Sequence, residues 1–208
     1  MALETQVRVG VQRAPDGDLR VARAGRDLDT IVSNLHGRFY EQAKRGGVFT
    51  GQTAATGVAP GTAIGTTAAF SLFNPAGSGV DLVVLKATMG YVSGTLGAGF
   101  ISYVANIDPA AAATTGTAIT PVNALLGGGK GLGKPFTTAT IPAPSVVRPF
   151  CSLGASLAST AVQPWQISDD VDGAIVVAPG CTISLHGTAA AGTSPLVVFG
   201  MTWEEVPI

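Results

Sequence analysis

The stretch DLVVLKATMGYV, residues 81–92, decides the class of fold. It belongs to a set with GFISYVANI (99–107), PSVVRPFCSL (144–153), GAIVVAPG (173–180), CTISLHGTA (181–189) and PLVVFGMTWEEV (195–206). These segments are rich in Val, Ile, Phe, Tyr and Thr and bounded by Gly, Pro, Asn or Asp, the pattern of short strands and their turns. A spacing of about 8–12 residues indicates an antiparallel sandwich or barrel. No long helical period follows residue 50, which disfavours α/β architectures. The stretch 109–145 reads as a long excursion, either an interface loop or a mobile one.

The first fifty residues differ. TQVRVGVQR alternates Val7, Val9 and Val11 with polar neighbours, APDGD supplies turn chemistry, and LRVAR alternates again. That predicts a β-hairpin or extended arm with arginines on its wet face. Next, Leu35, Phe39 and Ala43 share one helical face, with Ser33 or Asn34 as N-cap. Lys44 and Arg45 suit the last turn and Gly46 stops it, giving a helix of about 12 residues that is marginal alone and must dock. The expected organisation is an arm over 1–50 and a β-sandwich oligomerisation domain over 51–208.

Charge is scarce and unevenly placed. Of 208 residues only 12% are charged, about half the usual share, while mean hydropathy is +0.39. Residues 1–50 hold eight Lys/Arg and six Asp/Glu; the other 158 hold four and seven. From Pro109 to Ser168 there is no carboxylate. Such a surface is colloidally weak unless other subunits cover it, so permanent assembly is expected. The net charge of −1 argues against nucleic acid or an anionic membrane as partner. Arg8, Arg13, Arg20, Arg23 and Arg26 form a basic cluster, but Asp16, Asp18, Asp27 and Asp29 nearly cancel it; an arm with such fork-like donors fits a protein surface. No apolar run reaches the length needed to span a bilayer. Cys151 and Cys181 are too few for a disulfide scaffold and read as small buried thiols.

Motifs that suggest chemistry fail in detail. GGGKGLGKPF (127–136) spaces Gly128, Gly133 and Lys134 as a phosphate loop does, but Pro135 stands where the metal-binding hydroxyl belongs. Proline offers no N–H to an anion, and Pro142 and Pro144 forbid the helix that should follow. A flexible surface loop wetted by its two lysines is the reading. Ser156 in GASLA, with Asp172 and His186, mimics the chain order of a hydrolase triad, but the region reads as β where a nucleophile elbow needs a helix. His186 reads as a strand-end histidine bonded locally. Asp169, Asp170 and Asp172 in SDDVDG lack the acidic closer of a calcium loop and read as an acidic turn between strands. Glu204 and Glu205 are strand neighbours pointing to opposite faces. Trp165 and Trp203 read as core or subunit-interface anchors. No catalytic residue, metal or cofactor is expected.

DGDLRVARAGRDLDTIVSNLHGRFYEQAKRGGVFTG (16–51) resembles the N-terminal segment of structural proteins of tailed bacteriophages. ISLHGTAAAGTSPLVVFGMTWEEVP (183–207) resembles the last two strands of a jelly roll from the same kind of virion protein. The resemblance covers the two ends of the chain and carries no catalytic signature. It implies a capsid cement or decoration protein on the virion surface, assembled in the host cytoplasm. In that picture the arm, with Phe39 and Tyr40, lies on the major capsid protein and the sandwich associates as a homotrimer. The alternatives are a head fibre or tail adhesin whose 109–145 loop meets a host glycan, and a serine hydrolase.

Overall fold

Two antiparallel sheets packed face to face form the body of the protein. The computed structural model describes residues 37–108, 116–153, 166–188 and 193–208. Within them the strands are β1 (Val48–Gln52), β2 (Thr67–Phe73), β3 (Val80–Ser93), β4 (Gly99–Asn106), β5 (Thr117–Ala118), β6 (Val122–Asn123), β7 (Lys134–Thr140), β8 (Ser145–Leu153), β9 (Gln166–Val177), β10 (Thr182–Gly187) and β11 (Leu196–Pro207). One sheet has the order β6-β1-β11-β3-β9, the other β5-β7-β2-β10-β4-β8.

Setting β5, β6 and β7 aside leaves eight strands, ordered first-eighth-third-sixth in one sheet and second-seventh-fourth-fifth in the other. That is the double Greek-key winding of a jelly roll. β6 extends one sheet beyond β1, and β7 with β5 extends the other beyond β2. The first and last strands are neighbours: β1 runs antiparallel to β11, with Val48 opposite Glu204 and Gln52 opposite Gly200.

Alternation on the strands builds the core. Leu82, Val84, Met89, Phe199, Met201 and Trp203 from one sheet meet Phe70, Leu72, Ile101, Tyr103, Ile183 and Leu185 from the other. Each large apolar side chain removed from water contributes about 1.5–3 kcal/mol. Trp203 is wholly buried and stacks on Phe49 at 6.3 Å between ring centroids. Asn74 ties the corners of both sheets' turns: its Nδ2 donates to the carbonyls of Val80 and Val177, each at 2.8 Å.

Several expectations need correction. Among the described residues the helix α1 spans Tyr40–Lys44, with the Tyr40 N–H bonded to the Gly37 carbonyl just before it; the expected N-cap at Ser33 or Asn34 lies outside the described residues. Its end is as expected, with Lys44 in the last turn and Gly46 at φ +77°. β1 begins at Val48, so the sandwich starts before Gly51, and the chain divides into units at residues 1–40 and 41–208. The 109–145 stretch carries β5, β6 and the seven-residue β7, whose Thr-rich sequence pairs with β2 from Thr67↔Thr140 to Phe73↔Lys134. SDDVDG is no turn between strands. It lies inside β9, which bulges where Asp172 and Gly173 take φ +53° and +84° and the register against β3 slips between Val84 and Lys86.

Candidate functional site

The glycine-rich loop after β6 does hold an anion, and the anion is its own. The Glu205 carboxylate accepts the backbone N–H of Leu132 at 2.8 Å and that of Gly133 at 2.9 Å. The indole N–H of Trp203 donates to the same carboxylate at 3.2 Å. Successive backbone N–H groups make an anion-binding concavity of the kind phosphate loops use. Here the glycines are required by close approach. A Cβ on Gly131 would lie 2.9 Å from Glu205 Oε1, and one on Gly133 would lie 2.9 Å from Trp203 Nε1.

A second side chain holds the start of this loop. Asn123 donates from Nδ2 to the carbonyls of Gly46 and Gly129 and accepts the N–H of Leu125 at 2.8 Å. The expected flexible loop is thus pinned at both ends, although Lys130 and Lys134 are exposed as read. Pinning leaves apolar side chains outside. Leu126 is 83% exposed and Val122 57%, with Leu125 and Leu132 also exposed.

Glu205 turns toward Trp203, and Glu204 lies opposite Val48, in keeping with their opposite faces. Both line a groove of about 820 Å³ between α1, the loop and β11. Partial burial raises the Glu204 carboxyl from its ordinary value.

The aspartates of β9 are matched by cations of this chain. Asp169 accepts from Arg148 at 2.6 Å and from the Tyr103 hydroxyl at 2.9 Å, and Asp170 pairs with Lys86 at 2.9 Å. The Arg148 guanidinium also lies 4.8 Å from the centroid of the Tyr103 ring. Burial, reinforced by the bond to Asp169, raises the Tyr103 phenol far above the ordinary tyrosine range. This cluster clamps β4 and β8 to β9 across the sandwich edge. Among the described residues no group of three His, Cys, Asp or Glu could hold a metal ion.

His186, next to the end of β10, lies 3.0 Å from the Ser184 hydroxyl through Nε2, the local bond expected. Its Nδ1 has no hydrogen-bond partner, so Asp172 does not orient it. Burial lowers its basicity to a pKa of about 4. Ser71, Ser102 and Thr182 likewise have buried hydroxyls without partners. Cys151 and Cys181 are free thiols, each half-buried; burial pushes Cys151 up to about 11 and raises Cys181 as well.

Of the residues expected to dock, Arg8, Arg13, Arg20, Arg23 and Arg26 lie outside the described residues, as do Trp165 and Ser156. Phe39 carries the Arg38 guanidinium 5.3 Å from its ring centroid, and Tyr40 is exposed. Sequence reasoning missed Asn123, Tyr103 and the role of Glu205. Each acts on a partner far along the chain, and a glycine-rich loop facing a carboxylate was the one legible signal. No helix among the described residues is long and apolar enough to cross a membrane. No family model, curated protein or solved structure matches this chain.

Proposed function

We propose that the chain is a structural virion protein that binds and stabilises a bacteriophage capsid shell as an oligomeric cement or decoration protein. The observation that carries this reading is the pinned loop with its exposed Val122, Leu125, Leu126 and Leu132. A loop fixed by Asn123 and Glu205 while offering leucines to water is built for contact, because apolar side chains held outward gain stability only when covered. The charge-poor sandwich points the same way, as does the resemblance of the two chain ends to virion proteins. In this reading the partners are the major capsid protein and further copies of the chain as a homotrimer. Trimerisation multiplies a weak single contact through effective concentration.

The test is decoration of isolated capsids that lack the protein, seen by electron microscopy. Full-length protein should bind in a regular array, and Leu126→Glu should bind more weakly while keeping the fold. Bare capsids after incubation, or a monomer by light scattering at micromolar concentration, would overturn the reading.

A further inference from the structure

The sandwich has two edges, and each holds large apolar side chains in water. At one edge β6 and β5 end the two sheets, and the glycine-rich loop joins β6 to β7; at the other β9 and β8 end them. Val122, Leu125, Leu126 and Leu132 are exposed at the loop edge, and Val146, Val147 and Val176 at the β8–β9 edge.

Charge restricts what each edge can meet. Beside the leucines stand the exposed Lys130 and Lys134, while the Glu205 carboxylate is turned inward onto the loop N–H groups. Along the other edge Asp169, Asp170 and Asp172 stand with Lys86 and Arg148, three carboxylates to two cations. Two like edges brought together would set lysines against lysines or aspartates against aspartates. Unlike edges bring opposite charges together around apolar side chains that both leave uncovered. Addition of a further strand at β8 is opposed by Pro149, which has no N–H to offer, and by two slips of its register against β4. Contact at that edge is therefore between side chains.

We propose that the loop edge of one copy docks on the β8–β9 edge of the next, leucines against valines and Lys130 and Lys134 toward the β9 aspartates. Because the two surfaces differ and lie on opposite sides of the sandwich, the contact is head-to-tail, and in the homotrimer it closes as a ring rather than a twofold pair. This assignment rests on the self-association in the reading above and not on capsid binding.

Light scattering separates a head-to-tail contact from a twofold one. Leu126→Glu disables the loop edge and Val146→Lys the other, so each full-length variant alone should fall to single chains, with its circular dichroism unchanged. Mixed in equal amounts at high concentration, the two should form a heterodimer and nothing larger, since each supplies the edge that the other lacks. In a second measurement, benzoylphenylalanine in place of Leu126 is activated by light and the cross-linked dimer is digested. Its joined peptides should come from 145–153 or 166–177 of the other chain. An oligomer that survives either variant, a mixture that stays monomeric, or cross-links to any other part of the chain would overturn the proposal and leave the capsid reading standing. A monomeric parent would overturn both, and a ring that leaves capsids bare would overturn the capsid reading alone.

Discussion

The Tyr103 hydroxyl donates to the Asp169 carboxylate at 2.9 Å, and through that bond β4 of one sheet holds β9 of the other. Both sheets also have Arg148 in common, since it reaches the same carboxylate from β8. Removing the hydroxyl in Tyr103→Phe should lower stability by about 1–2 kcal/mol in chemical denaturation, with the ring and its core contacts kept. In an alkaline titration followed by ultraviolet absorbance, Tyr103 should stay protonated through the ordinary tyrosine range, because burial and Asp169 both oppose the phenolate. Ionisation of all tyrosines within that range would contradict the clamp.

Glu205→Ala removes the acceptor for two backbone N–H groups and an indole N–H. Stability should fall by about 1–3 kcal/mol, and trypsin should cut after Lys130 faster than in the parent. Gly133→Ala should reproduce the faster cleavage, since its Cβ would press on Trp203 Nε1 and Leu82 at 2.9 and 3.1 Å. Unaltered cleavage rates in both variants would mean the loop is held by something else.

Asn74→Ala leaves the carbonyls of Val80 and Val177 without their donor in a buried corner. The expected loss is about 2–3 kcal/mol by denaturant midpoint. Asn74→Asp should cost more, because a carboxylate would face two carbonyl oxygens with no N–H to offer.

His186 gives a pH dependence with a definite sign. Its folded-state pKa is lowered from 6.5 to about 4, so the unfolded chain takes up a proton before the folded chain does. Stability from this residue is complete above about pH 6.5 and declines by about 3 kcal/mol as pH falls toward 4. His186→Asn should flatten that slope relative to the parent in denaturation measured across this window. Glu204 works in the opposite sense: its raised folded pKa favours the native state as pH falls, which makes the variant-to-parent difference the quantity to measure.

The sandwich was legible because its strands bury alternate residues over long runs, as in PLVVFGMTWEEV, where Val197, Phe199, Met201 and Trp203 line the core. β7 was not, since Pro135 and a run of threonines imitate a loop until β2 supplies the other side of the ladder. SDDVDG read as a turn because local composition cannot separate a turn from a bulge; the neighbouring strand decides. The loop motif was seen but its ligand was not, for Glu205 lies seventy-three positions beyond Leu132 in the chain.

The antiparallel pairing of β1 with β11 also sets how the molecule would yield to force. Chain enters β1 at Val48 and leaves β11 just past Glu204, its opposite number, so both ends emerge at one pole. Tension applied between them would load the rungs of this ladder singly, from that pole inward, as a zip opens. Tension on one end against the far pole would strain the rungs together. A tether through the leading segment alone would therefore be mechanically far tougher than one drawn between the two ends.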